Sequence, residues 1–124
     1  MAATKEEIDS ALQGVHTVDI TTTGRKSGRP RKLEIVAHNI DGRIYISGIP
    51  SPRRRSWLAN LDADPHMTFH LKGKVRADLH ATARVIEDEA ERRKNLPHIA
   101  RNWGRKDLEM MVKQSPLIEV TLGT

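Results

Sequence analysis

Residues 21–31 read Thr-Thr-Thr-Gly-Arg-Lys-Ser-Gly-Arg-Pro-Arg, and no other stretch so narrows the folds open to this chain. The segment follows a run rich in β-branched residues, Val15 to Thr22, and precedes an alternating run, Lys32 to His38. Its glycines and Pro30 oppose a helix that would run through it. The two runs are therefore predicted to be strands joined by a hairpin. Gly24 and Gly28 can take positive φ, so the backbone between them can fold tightly and present its N–H groups. Arg25, Lys26, Arg29 and Arg31 surround the turn with positive charge, and Ser27 adds a hydroxyl. Two readings stand side by side: a turn made to hold a phosphate, and a basic hairpin loop kept in water by its charge.

The hairpin logic extends along the chain. Lys32 to His38 alternates, with Leu33, Ile35 and Ala37 on one face and Lys32, Glu34, Val36 and His38 on the other. Asn39-Ile40-Asp41-Gly42 supplies turn chemistry, and Arg43 to Ser47 is the returning strand. Before the hairpin, Thr4 to Gln13 is a short helix with Thr4 as N-cap, Glu6 and Glu7 in its first turn and Gly14 at its end. After it come a loop, Gly48 to Pro52, a short helix, Arg53 to Leu61, and a turn, Asp62 to Pro65. His66 to Leu71 and Val75 to Ile86 are strands. Glu87 to Asn102 is a helix in which Pro97 is expected to open a new segment. Gly104 breaks it, Lys106 to Gln114 resumes helix, and Pro116 to Leu122 is the last strand. Six strands with hairpins outnumbering crossovers predict a mainly β (α+β) fold, an antiparallel sheet closed into a small barrel with short peripheral helices. No linker, repeat or low-complexity run divides it, so residues 1–124 are read as a single domain.

Composition bounds the function. A net charge of +5 and a pI near 9.9 imply an anionic partner. Nucleic acid is not expected, because Tyr45, Trp57, Phe69 and Trp103 form no basic–aromatic repeat of the kind that stacks bases. With aromatics at 3%, the core must rest on Ile, Leu, Val and Ala, and so thin a core favours a homodimer. There is no cysteine, which excludes disulfides, thiol chemistry and Cys-ligated metals. Met1 to Gln13 has no apolar signal region and no run reaches membrane-spanning length, so a cytoplasmic protein without a transmembrane segment is expected.

Several clusters have plain structural readings. His66 and His70, with His80 on the next strand, lack a firm metal spacing and read as outward polar residues; no metal is expected. Glu87, Asp88, Glu89 and Glu91 ahead of Arg92, Arg93 and Lys94 follow the helix dipole and form i, i+4 pairs, a solvated face. Leu108, Met110, Met111 and Val112 read as core or dimer contact. Ser27 has no base and acid partners that would make a hydrolase triad. Arg53-Arg54-Arg55 is unusual, since cations are unfavourable at a helix start, and reads as either a second anion clamp or a solvated helix end.

The basic turn is followed, in order, by the hairpin with Asp41-Gly42-Arg43 and by Ser56-Trp57-Leu58-Ala59-Asn60-Leu61-Asp62-Ala63-Asp64-Pro65. This ordered pair of motifs, from about Val18 to Leu71 with a looser tail at Pro116 to Leu122, resembles the deazaflavin-dependent nitroreductase family, a branch of the flavin and deazaflavin oxidoreductases. The resemblance implies a six-stranded split β-barrel and a cofactor, coenzyme F420, a deazaflavin with a phosphodiester and a poly-glutamate tail. By similarity, Arg25, Lys26, Ser27, Gly28, Arg29, Pro30 and Arg31 line its phosphate and tail site. Ser47, Gly48, Ile49 and Pro50 lie against the ring system, and Ser56, Trp57, Leu58 and Asn60 match positions near the cofactor. The implied activity is hydride transfer between the deazaflavin and a small electrophilic acceptor such as a quinone; no catalytic side chain is assigned. The departures fall on the substrate side. Leu96 to Arg105 holds no tyrosine where family members acting on nitro compounds and quinones often hold several. Trp103 there reads as a packing residue or a pocket wall, and the loop after the third strand is Ile49-Pro50-Ser51-Pro52. The alternatives are an FMN-binding split-barrel reductase, whose terminal phosphate the same turn would hold, and a non-catalytic cofactor- or anion-binding protein.

Overall fold

The computed structural model describes residues 3–123; Met1, Ala2 and Thr124, the ends of the single-domain reading, lie outside the described residues. The chain runs α1 (Lys5–Ala11), β1 (Val15–Thr23), β2 (Pro30–Ile40), β3 (Arg43–Ser47), α2 (Ser56–Ala63), β4 (His66–Lys72), β5 (Arg76–Val85), α3 (Glu89–Trp103), α4 (Leu108–Gln114) and β6 (Leu117–Leu122). The six strands close into a barrel in the order β1-β2-β3-β6-β5-β4, every pair antiparallel. β3 pairs only with Val36–Ile40 of β2, so the first half of β2 is bonded to β1 alone and its other edge stays open beside a groove lined by Leu33 and Ile35.

Strand alternation fills the barrel. Val18 and Ile20, Ile44 and Ile46, Met67, Phe69 and Leu71, Ala81 and Ala83, and Ile118 and Val120 meet inside it. Helix α2 adds Trp57, Leu58 and Leu61 to the same core. Helix α1 packs Ile8, Ala11 and Leu12 against that core and lies beside the start of β1 and the end of β4. Its N-terminus is the expected one: Thr4 and Glu7 form a reciprocal capping box.

A second core lies outside the barrel wall. Tyr45 of β3 and Leu117 of β6 pack there with Leu96, Ile99 and Ala100 of α3 and Met111 and Val112 of α4. The outer face of β3 and the far end of β2 is thus roofed by helix, His38 beneath it is fully buried, and one expectation is corrected. Arg92, read as part of a solvated helix face, is also buried.

Element ends differ as well. α2 begins at Ser56, so Arg53, Arg54 and Arg55 precede the helix rather than open it, and Arg55 is its N-cap without a side-chain cap bond. Pro97 does not start a new segment: α3 continues through it, because Leu96, Ile99 and Ala100 on either side are seated on the barrel. The cost at Pro97 is one missing N–H donor, which burial of that face outweighs. β2 runs longer than predicted, from Pro30 to Ile40, because β1 pairs along its whole length as far as Thr23–Pro30.

Candidate functional site

The basic turn folds as a single helical loop. Gly28 N–H donates to the Gly24 carbonyl at 2.8 Å, and Gly24 N–H donates to the Arg29 carbonyl at 2.9 Å. Gly28 has φ 69°, which a residue with a side chain rarely adopts. At Gly24 a Cβ would lie 2.7 Å from Ser27 Oγ and 3.2 Å from the Arg29 carbonyl, so the close turn requires glycine there. Ser27 Oγ accepts from Arg29 N–H at 3.2 Å, which leaves its hydroxyl proton free to donate outward. The N–H groups of Lys26 and Ser27 have no partner among the described residues, a concave pair of donors of the kind that holds an anion.

Asn60 sets the position of this turn. It is 6% exposed, and its Oδ1 accepts from Arg25 N–H at 3.1 Å and from Arg25 Nη1 at 3.3 Å. Its Nδ2 donates to Thr22 Oγ1 at 3.3 Å. The amide is therefore committed to tying α2 to the turn. Replacing Asn60 by Ala is expected to cost about 1–3 kcal/mol and to raise the exchange rate of the Arg25 amide proton, read by denaturant melts and hydrogen exchange. An Arg25 amide as protected in the variant as in the wild type would contradict this role.

A groove runs from the turn across the barrel. At the turn end, a cavity of about 450 Å³ is lined by Arg25, Lys26, Ser27, Arg31, Trp57 and Asn60, among others. Leu33, Ser56 and Trp57 also line the next cavity, of about 630 Å³, which reaches Ser47, Gly48, Ile49 and Trp103. Arg25, Lys26, Arg29 and Arg31 enter no ion pair among the described residues, so the field at the turn end is not neutralised.

The structure thus brings together Arg25, Lys26, Ser27, Arg31, Ser47, Gly48, Ile49, Ser56, Trp57 and Asn60 along one groove. It does not bring Gly28, Arg29, Pro30, Pro50 or Leu58 onto that lining. Gly28 and Arg29 shape the turn, Pro30 opens β2, and Leu58 is a core residue at 7% exposure. Ser47 contributes no free hydroxyl, since its Oγ donates to the Pro116 carbonyl at 2.6 Å. Lys32, Leu33, Ile35 and Val36 line the groove and were not predicted. The strand alternation of β2 was the available signal for Lys32 and Val36, which it places on the outer face. Trp103 takes both of its candidate roles: it lines the groove and packs edge-on against His38 with ring centroids 5.0 Å apart.

The three arginines before α2 divide their duties. Arg54 pairs with Asp62 at 2.5 Å and Glu87 at 2.9 Å, and Arg55 Nη2 donates to the Ile49 carbonyl at 2.7 Å. Elsewhere, His70 lies 2.7 Å from both Thr21 Oγ1 and Asp78 Oδ1, and its hydrogen bond holds the Asp78 carboxyl below the usual carboxylate range. No cluster of three or more His, Asp or Glu among the described residues is arranged to hold a metal.

The F420H(2)-dependent quinone reductase family matches residues 1–122 of the chain. Among solved structures, an F420-H2 dependent reductase (FDR-A) is 26% identical, with TM-score 0.61, over 85% of this chain and 93% of that one. The conserved hypothetical protein Rv2991 from Mycobacterium tuberculosis superposes over 100% of this chain and 83% of its own, with TM-score 0.73 and 17% identity. The heme storage protein HutZ from Vibrio cholerae shares the fold at TM-score 0.69 and 17% identity, over 100% of this chain and 92% of its own.

Proposed function

The chain belongs to the F420H(2)-dependent quinone reductase family, split-barrel oxidoreductases that use coenzyme F420, and from that premise we propose that it reduces a quinone-like acceptor at the groove between the basic turn and α2. The observation that carries this reading is the pair of open N–H groups at Lys26 and Ser27, ringed by unpaired cations and continuous with a groove walled in part by Leu33, Ile49, Trp57 and Trp103. A phosphodiester fits that end: it accepts from backbone N–H, from the Ser27 hydroxyl and from Arg25 and Arg31. Charge-assisted bonds of this kind contribute about 1.5–3 kcal/mol each. Leu33, Ile49, Trp57 and Trp103 give the rest of the groove the flat apolar walls that a ring system needs.

When bound, the reduced deazaflavin supplies the hydride. The chain's own part is to bind and orient. Asn60 holds the turn so that its donors are fixed before an anion arrives, which lowers the ordering cost of binding. Trp57 and Ile49 would offer the ring system apolar contact at that end of the groove. An acceptor quinone that takes a hydride must also take a proton, and solvent reaching the open groove is the source this reading assigns. Assembly as a homodimer and a cytoplasmic setting belong to the same proposal. Among the described residues, no helix is long and apolar enough to cross a membrane.

The test is titration of the purified protein with oxidised F420 and with FMN, each followed by its own fluorescence. Saturable F420 binding with weak FMN binding supports the proposal; preference for FMN or binding of neither overturns it. Arg25→Ala with Arg31→Ala is expected to weaken F420 binding by at least about tenfold, with the melting curve unchanged. Unchanged affinity in that double variant removes the turn from the site.

A further inference from the structure

On the other side of the Arg53–Arg55 segment from the groove lies a separate cavity of about 710 Å³, walled by that segment, α3 and the end of α4. Its charge is unusual. Arg53 and Lys113 are exposed and enter no ion pair among the described residues, and Arg55 and Arg92 are bonded to backbone carbonyls only. Two carboxylates also reach the wall, but Glu87 is paired with Arg54 at 2.9 Å and Glu89 with Arg93 at 3.1 Å. The cavity therefore carries four cations without carboxylate partners and no free acid.

A further atom points to a ligand. Ser115, in the wall, is 3% exposed and its hydroxyl has no hydrogen-bond partner. Arg55 Nε is buried and equally unpartnered. A buried donor left without a partner is costly, so the Ser115 hydroxyl on this wall asks for an acceptor, while Arg55 Nε faces Gly48, on the groove side of its segment. The acceptor that suits guanidinium, ammonium and hydroxyl donors together is an oxyanion.

We propose that this cavity is a second oxyanion site, taking a carboxylate or phosphate group independently of the basic turn. Arg53 and Lys113 draw the anion in, Ser115 donates to it, and Arg55 and Arg92 supply field while their bonds stay with the carbonyls. Because Arg53 and Arg55 also line the groove, the anion has two possible sources, a free small oxyanion or the far end of an anionic ligand already seated in the groove.

The experiment is calorimetric titration of the full chain with inorganic phosphate, with glutarate, with a γ-glutamyl-glutamate peptide, and with F420 bearing or lacking its glutamates. Arg53→Gln with Lys113→Gln changes two exposed residues and is expected to leave the melting curve in place; Ser115→Ala reports on the buried hydroxyl. Saturable binding of phosphate or a carboxylate, weakened at least about tenfold by Arg53→Gln/Lys113→Gln but not by Arg25→Ala/Arg31→Ala, is the expected result. Loss confined to tail-bearing F420 assigns the site to the groove ligand, and loss with the small anions assigns it to a free one. No saturable binding of any probe, or binding that only the turn variant weakens, overturns the second site. The turn variant with tail-less F420 reads the proposed cofactor site separately, so failure of one proposal is not failure of the other.

Discussion

Replacing Arg92 by Met is expected to lower stability by about 3–5 kcal/mol. The side chain donates to the carbonyls of Val112 at 2.8 Å, Ile86 at 2.9 Å, Met111 at 3.1 Å and Ser115 at 2.5 Å. No carboxylate bonds it, and burial pushes its guanidinium below the ordinary arginine range. Its value lies in geometry. α4 spans only Leu108–Gln114, too short to hold together alone, and beyond the Ser115 N–H, which donates to the Met111 carbonyl at 2.9 Å, its last carbonyls depend on donors from outside the helix. One planar fork satisfies two of them together with the loop that leads into β6. Met matches the volume but leaves four buried carbonyls with fewer donors. Lys restores the charge but not the fork, so Arg92→Lys should recover only part of the loss. Thermal and urea melts check both: a drop in Tm on the order of 10–20 °C is expected for Met. Wild-type melting of Arg92→Met would mean that the helix layer does not depend on this lock.

Arg92 also shows where the sequence was legible and where it was not. Alternation along Lys32 to His38, β-branched content in Val15 to Thr22 and the Gly, Pro, Asn and Asp turns between the six short runs named the barrel. A local pattern cannot say what covers the outside of a closed sheet. Lys32, Glu34, Val36 and His38 read as one face of the strand, and the first part of that face is open. Its far end lies under α3, and only the three-dimensional path of α3 decides where the roof begins. Likewise Arg92, Arg93 and Lys94 are equivalent as charges in a row, yet the helix turns Arg92 inward while Arg93 pairs with Glu89 and Glu109 at the surface.

The candidate site divides in the same way. Residues whose type carries the chemistry, such as Arg25, Lys26, Arg31 and Trp57, were visible. Residues that serve by position, such as Leu33 and Ile35, were not, because an aliphatic residue on a strand looks the same whether it faces a groove or a core. Asn60 was visible as part of a motif but not for its role. Its amide acts on the turn across a separation of 35 residues, which no local spacing records.

His38 is expected to make the protein acid-sensitive. Burial lowers its pKa from 6.5 to about 4, and neither ring nitrogen has a partner. The sign follows from proton counting. Between those two values the unfolded chain binds a proton that the folded chain refuses, so stability falls as pH falls from 6.5 to about 4. The integrated loss is about 3 kcal/mol. Asp78, Glu91, Asp107 and Glu109, whose hydrogen bonds to His70, Arg84, Arg105 and Arg93 lower their pKa, also destabilise the fold in acid, so the wild-type curve alone does not isolate His38. His38→Leu does. It removes two unpartnered buried nitrogens, so it should be at least as stable at pH 7.5 and visibly more stable at pH 5, with urea midpoints diverging between. Parallel midpoints for the two proteins across that range would refute the assignment. The consequence reaches the groove, because Trp103 rests edge-on against this ring while lining the wall where the acceptor is proposed to bind. A charge forced onto His38 must either expel the ring from beneath α3 or open that helix end, and in both cases Trp103 loses its support. The tryptophan emission of the wild type should therefore shift to the red below about pH 5, ahead of global unfolding, and the shift should be absent from His38→Leu.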